Sequence, residues 1–435
     1  MDAKEINFRI TKNFSFLILA QVFYKILTFL VMILLARFLG VGDFGRLSFG
    51  ISFVWVFLFL SDLGCSELFV RDVSLNTGFL KKYTDNMTAF KIVLSFTAYI
   101  VLVIFGRFFS GNDPIKFWIV AVLGLSIILD SFVYYFRAVF RIKGTLHYEA
   151  LLLIFEGFIK FIILFFAITY KFQNEKVLIV VLALLAVSAV NFLVNLFIFI
   201  RYNSFPELKF DNKFWVYLVK AGLPFSLVYI LSLVNFRVDV LMLSLLRGDV
   251  EAGIFSADFR LIEQLFLFPA ILSYVILPEF LRLSGHKDKV LKLAKRIIVY
   301  LFLLSMAIII LFSFFSNSII SLVYGQNFLQ ASVYLRVLLL ILPFLFTKSI
   351  IEKILYSCGM QLQVSIIYAT GVFLNVVLNL IAIPRFGILG ASATTIICEI
   401  LMTSGILFYL KGYSSGRLDS NIALTYAVNT ELLDD

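Results

Sequence analysis

The chain has 435 residues, of which 62% are hydrophobic and 15% charged, against roughly 45–50% apolar and about 25% charged in soluble domains. That composition excludes an ordinary water-soluble enzyme. A formal charge of +10, from 37 Lys and Arg against 27 Asp and Glu, would point to nucleic acid in a soluble protein, but in a membrane protein the first question is where the charges sit.

A membrane helix needs about 20 predominantly apolar residues. In chain order such segments run over 13–36, 47–64, 90–106, 117–136, 149–169, 177–200, 219–246, 252–280, 297–322, 331–352, 363–383 and 390–410. They predict an all-α polytopic membrane protein with twelve transmembrane helices. Twelve spans would use about 240 residues and leave fewer than about 200 for loops and tails, too few for a separate catalytic domain. Pro224, Pro269, Pro278 and Pro343 lie inside spans and predict kinks, which membrane helices tolerate where neighbours satisfy the freed backbone groups. The first apolar stretch is too long for the core of a secretory signal and no small-residue cleavage site follows it, so it reads as a retained helix.

Lys and Arg concentrate in cytoplasmic loops of membrane proteins. The N-terminal tail and alternate loops hold about 23 of them, including Lys4, Arg9, Lys12, Arg71, Lys81, Lys82, Lys91, Arg137, Arg141 and Lys143, then Arg201, Lys209, Lys213, Lys220, Lys353, Lys411 and Arg417. The opposite loops hold about eight, namely Arg37, Arg46, Arg107, Lys116, Lys171, Lys176, Arg247 and Arg385. Both termini are therefore expected in the cytoplasm. The basic segment from Arg282 to Arg296 interleaves Val290, Leu291, Leu293 and Ala294 with its cations, so it reads either as a surface lying on the anionic inner leaflet or as a solvated loop.

Little in the chain suggests covalent chemistry. Cys65, Cys358 and Cys398 lack metal-ligand spacing and read as small packing residues. His147 and His286, the only histidines, fall in cytoplasmic loops, and there is no Walker A sequence. The short external loops leave little room for a glycosyltransferase or polymerase site. No catalytic residue, metal or cofactor is expected, and transport becomes the leading class.

Charge within the spans supports that class, because an ionisable group at the bilayer centre costs about 2.5–3.5 kcal/mol on insertion scales and is by default functional. Six basic residues qualify: Lys25, Lys160, Arg237, Arg260, Arg336 and Lys348. Glu156 with Lys160 and Lys348 with Glu352 are four apart, and Arg260 with Glu263 three apart, so each pair can meet on one helix face. Lys25, Arg237 and Arg336 have no such partner. Gln21, Lys25 and Thr28 form a polar stripe suited to a wet cavity, whereas Arg237 and Asp239 point to different faces of one helix. Asn191 with Asn195, and Asn375 with Asn379, read as interhelical hydrogen-bonding pairs in preference to ligand contacts. Net positive character in a cavity suits an anionic substrate, since Arg grips phosphate oxygens with a bidentate fork. The alternative is that these cations simply pair with Asp62, Asp130, Asp239 or Asp258.

The two halves echo each other. A-R-F-L-G-V-G-D-F-G-R-L-S-F from Ala36 to Phe49 and L-L-R-G-D-V-E-A-G-I-F-S-A from Leu245 to Ala257 both place Gly, an acid, Gly and an aromatic on a short external turn. Such repeats are common in secondary transporters, whose substrate sits between them near the midplane. The expected organisation is a lobe over 1–208, a second over 209–412 and a cytoplasmic tail over 413–435.

The same residues resemble the polysaccharide-repeat-unit flippases of the multidrug/oligosaccharidyl-lipid/polysaccharide (MOP) exporter superfamily. The resemblance rests on Gly40, Asp43, Phe44 and Gly45; on S-D-L-G from Ser61 to Gly64 with Leu68, Val70 and Arg71; and on R-V-D-V-L-M-L-S-L-L from Arg237 to Leu246. Gly253, Phe255, Ala257, Arg260, Glu263 and Pro278 continue it, as does P-R-F-G-I-L-G-A-S from Pro384 to Ser392. Family members often carry Tyr where Phe255 stands, and twelve spans instead of fourteen argue against the lipid II branch. The resemblance implies two six-helix lobes in a V, alternating access, and outward transport of a polyprenyl-diphosphate-linked oligosaccharide across the cell membrane. In that picture Lys25, Arg237, Arg260 and Arg336 bind the diphosphate, and Asp239 and Glu263 orient them or sense ions. Partners would be the lipid-linked oligosaccharide, membrane lipids, and a polysaccharide polymerase or glycosyltransferases, with no nucleic acid. Competing readings are a multidrug cation exporter of the same superfamily, a membrane glycan polymerase or ligase, and a structural role in a glycan export complex.

Overall fold

An apolar chain that cannot hydrogen-bond its backbone to lipid must satisfy it within helices, and most of the described part is helical. It is a computed structural model that describes residues 3–169, 176–202, 206–283 and 286–414. Lys171, the side chains of Lys4, Arg9 and Lys12, and the expected tail beyond residue 414 with Arg417 lie outside the described residues.

Contacts divide the chain into two compact units, Met1–Ala257 with Ser321–Leu329, and Asp258–Ile320 with Gln330–Asp435. The first opens with α1 (Ala3–Leu58), which is two helices joined at Gly40, where φ 75° and ψ 177° leave the helical region. A positive φ there needs no side-chain strain only because the residue is glycine. Then follow α2 (Cys65–Leu75), α3 (Leu80–Phe109), α4 (Pro114–Ile142), α5 (Leu146–Thr169), α6 (Lys176–Tyr202), α7 (Asn212–Leu246) and the start of α8 (Asp249–Leu265). Local chemistry sets several starts. Asp113 caps α4 by accepting from the Ile115 and Lys116 amides, with Pro114 in the first turn, and Asp211 caps α7 by accepting from Lys213 and Phe214.

The second unit holds the rest of α8, then α9 (Leu267–Arg282), α10 (Lys287–Phe314), most of α11 (Ser316–Val323), α12 (Ala331–Leu338), α13 (Leu342–Ser357), α14 (Gln361–Phe386) and α15 (Ile388–Ser414). Its centre is α13, whose Phe346, Ile350, Ile351 and Leu355 are wholly buried beneath α9, α10 and α15. Two expected proline breaks are present. The helix stops at Leu265 and restarts at Leu267 just before Pro269, and a 3₁₀ turn at Leu339–Ile341 precedes Pro343. The backbone continues helically through Pro224 and Pro278.

Among the described residues nine helical stretches are long and apolar enough to cross a membrane, and the first, Phe16–Leu75, contains two of the spans read from sequence. Helices α7 and α8 carry Arg237, Asp239, Asp258, Arg260 and Glu263. The chain is thus an all-α, multi-pass membrane protein.

Candidate functional site

In the first unit, α7 brings Asn235 and Asp239 to one face, four residues apart, where both are fully buried. Arg237 points elsewhere and lies half-buried with its guanidinium 5.7 Å from the ring centre of Trp55 on α1. A flat cation on an indole face keeps its charge while losing little freedom. Lys25 is exposed on α1. Its neighbour Tyr24 donates to Glu156 Oε1 at 2.9 Å, and Lys160 Nζ sits 5.7 Å from the Tyr24 ring centre.

Glu156 has a partner beyond the Lys160 that its spacing suggests. Its strongest partner is Arg137 on α4, at 2.7 Å, and Arg137 also donates to Asn191 Oδ1 of α6 at 3.3 Å. Arg137 was assigned to a cytoplasmic loop, but it lies inside α4 and is 6% exposed. The i,i+4 rule finds partners on one helix only, and Arg137 reaches Glu156 from the next. Replacing Glu156 by Gln should therefore cost about 3–5 kcal/mol by stranding Arg137, and more than Lys160→Met, which leaves the Arg137–Glu156 pair in place. Thermal unfolding of the two variants in detergent checks this, and equal losses would refute the pairing.

Two further loop assignments are corrected in the same way. Lys91 is fully buried in α3, where it pairs with Asp62 and donates to Ser131 Oγ at 3.1 Å. Lys116 is buried in α4, pairing with Asp249 at 2.7 Å and donating to Ser244 Oγ at 3.0 Å. Lys91 was detectable in principle: it shares helical spacing with the buried Met87, Ser95, Ala98 and Leu102. The asparagine pairs bond within their own helices, Asn195 to Asn191 Oδ1 at 2.9 Å and Asn379 to Asn375 Oδ1 at 2.8 Å, and Asn191 also accepts across helices from Arg137.

The turn end of this unit is tied by charge. Arg46 lies 3.1 Å from Asp113, 3.2 Å from Asp43 and 3.6 Å from Asp249. Arg37 donates to the Leu322 and Val323 carbonyls at the end of α11, and Tyr324 donates to the Ala257 carbonyl at 2.9 Å. Between them Gly45 and Gly253 let the backbones of α1 and α8 touch. At the other end of α7, Tyr217 donates to Asp72 at 2.6 Å, and Gly222 meets the backbone of Gly64.

In the second unit Arg260 and Glu263 approach to 3.7 Å, as their three-residue spacing predicts. Arg336 is exposed and donates to Ser316 Oγ at 2.7 Å and Asn317 Oδ1 at 3.3 Å. Lys348 does not pair with Glu352. It reaches Glu399 of α15 at 2.5 Å, while Glu352 accepts from Tyr368 of α14 at 2.6 Å. Asp258 is wholly buried, with no hydrogen bond to either carboxylate oxygen among the described residues. Of the six residues singled out from sequence, Lys25, Arg237 and Asp239 fall in the first unit and Arg260, Glu263 and Arg336 in the second. Among the described residues no group of three or more His, Cys, Asp or Glu is arranged to hold a metal.

Comparison with known proteins places these features in context. The profile described as "Polysaccharide biosynthesis protein" matches residues 10–284, and the MatE profile matches residues 224–381. A capsular polysaccharide biosynthesis protein, CapF of Staphylococcus aureus, is 22% identical over 412 residues, covering 92% of this chain and 99% of its own. Among solved structures, the lipid II flippase MurJ in an inward closed conformation superposes with a TM-score of 0.67 at 18% identity, over 90% of this chain and 87% of that one. An inward-facing multidrug resistance MATE family transporter of the MOP superfamily superposes with a TM-score of 0.71 at 14% identity, over 90% and 95%. These likenesses establish a shared fold.

Proposed function

From the premise that the chain belongs to the polysaccharide biosynthesis protein family of the MOP superfamily, we propose that it is a flippase for polyprenyl-diphosphate-linked oligosaccharides. It carries them from the cytoplasmic to the outer leaflet of the cell membrane by alternating access, with both termini in the cytoplasm. The two six-helix repeats, 1–208 and 209–412, are its moving lobes. The reaction breaks no covalent bond, so the protein acts as a transporter and not as an enzyme.

The observation that carries this reading is Arg237, held half-buried over Trp55 in a helix that also buries Asp239. A diphosphate loses its hydration on entering a low-dielectric layer, and fixed cations can replace that water. Lys25, exposed on α1, and Arg260 and Arg336 supply further positive charge. Asp239 and Glu263 orient the cations or respond to ions. An inside-negative potential would itself favour outward movement, by about 2.3 kcal/mol per charge per 100 mV.

The test is flipping of a defined lipid-linked oligosaccharide in proteoliposomes. Arg237→Gln and Lys25→Gln should each reduce the rate by at least about tenfold, the loss of one charge-assisted phosphate contact, with insertion unchanged. Wild-type rates in both variants would overturn the assignment. The MatE match over 224–381 favours a second reading, export of organic cations. Ethidium efflux by the same vesicles, with no movement of the lipid-linked sugar, would select it.

A further inference from the structure

The first turns of α10 carry more positive charge than a helix start ordinarily bears. Lys289, Lys292, Lys295 and Arg296 all lie within ten residues of its beginning at Lys287 and all four are exposed, against a single acid, Asp288, in the first turn. A helix N-terminus has unpaired amides and positive partial charge, so cations there repel it unless an anion sits among them. Among the described residues, none of the four lies within salt-bridge distance of a carboxylate.

The position of these cations on the helix identifies the anion. Val290, Ala294, Leu301 and Ser305 form the buried stripe of α10. On the other side the exposed cations run directly into exposed apolar residues, Val299, Tyr300, Leu303, Ile310 and Phe314. In a multi-pass membrane protein that stripe faces acyl chains. From Ile297 to Phe314 the helix rises about 27 Å at 1.5 Å per residue, close to the roughly 30 Å of a hydrocarbon core. When the apolar stripe fills the core, the four cations therefore fall at headgroup depth. Arg296 stacks 5.8 Å from the ring centre of exposed Tyr300, an aromatic of the kind that anchors at this level.

We propose that the lipid-facing side of α10 at its first three turns is a docking surface for anionic phospholipid headgroups, whose phosphates answer the four cations and the free amides of the helix start. The surface includes none of Lys25, Arg237, Arg260 and Arg336, and the proposal does not depend on what the protein transports.

Native mass spectrometry of the full chain with phosphatidylglycerol or phosphatidylcholine tests the proposal. Wild type should retain phosphatidylglycerol preferentially. Joint replacement of Lys289, Lys292, Lys295 and Arg296 by Gln should weaken that retention by at least about tenfold and leave phosphatidylcholine unaffected. A second variant, with Lys289→Arg, Lys292→Arg and Lys295→Arg, keeps the charge and should retain the lipid as wild type does, separating lost charge from misfolding. Equal retention of the two lipids by wild type would overturn the proposal, as would undiminished phosphatidylglycerol on the glutamine variant. Displacement of phosphatidylglycerol by equimolar inorganic phosphate would overturn it too, by marking a site for free anions.

Discussion

Gly253→Ala is expected to unfold or disable the protein under conditions in which Gly42→Ala does neither. A Cβ on Gly253 would lie 2.2 Å from the Val41 carbonyl oxygen and 3.1 Å from the Gly45 amide, and one on Gly45 would lie 1.8 Å from the Asp249 carbonyl oxygen. All three obstacles are backbone, so no rotamer change relieves them and α1 must part from α8. Around that contact stand the Arg46–Asp249 and Lys116–Asp249 pairs and the Tyr324–Ala257 bond, each of which depends on the same close approach. Overpacking of a side-chain core typically costs about 1–3 kcal/mol, and a rigid backbone clash with several polar contacts attached should reach or exceed the top of that range. Gly42 is the matched control, since its added Cβ would meet only the Val250 side chain at 3.8 Å. Melting temperature in detergent and flipping in vesicles are the measurements. Equal stability of the two alanine variants would show that the helices separate without cost.

Lys348→Met should be the most damaging single charge removal in the second unit. Lys348 and Glu399 are 3% and 0% exposed in their side chains and meet at 2.5 Å. Deleting one member of a buried pair leaves the other charge uncompensated and costs about 3–5 kcal/mol, whereas replacing both by apolar residues of similar size is often neutral. The double variant Lys348→Met with Glu399→Leu should therefore recover most of the lost stability. Lys353→Met is the control, since it removes a lysine from the same helix, one that stands 5.1 Å from the ring centre of Tyr356, and leaves the Lys348–Glu399 pair in place. If the double variant proves as unstable as the single one, the pair does not account for the effect, and packing or the Tyr368 ring 4.8 Å from Lys348 would be responsible.

The helices were readable from sequence because lipid imposes one rule on every span: about twenty apolar residues with an internally bonded backbone. The turn at Gly40 and the breaks before Pro269 and Pro343 follow from the backbone limits of glycine and proline alone. Partners of charged groups were much less readable. Glu156 finds Arg137, Asp62 finds Lys91, and Lys348 finds Glu399, each on a different helix. Spacing along one helix contains no term for such meetings. Counting basic residues for orientation added a bias of its own, because it assigned Lys91, Lys116 and Arg137 to loops although each stands at the edge of an apolar run. Each lies in a helix that extends past its apolar stretch. The Arg260–Glu263 contact was legible because it is local to one helix.

The return of Ser321–Leu329 to the first unit has a consequence for biogenesis. Arg37 waits for the carbonyls of Leu322 and Val323, Phe44 for the ring of Phe328, and the Ala257 carbonyl for Tyr324. None of these partners exists until the ribosome has also made Asp258–Ile320, a delay of about six seconds at roughly ten residues per second. During that interval α1 and α8 are in the bilayer with their turn ends unsealed. The first unit therefore cannot be finished before much of the second is synthesised, and a chain released near residue 300 would lack the means to complete either.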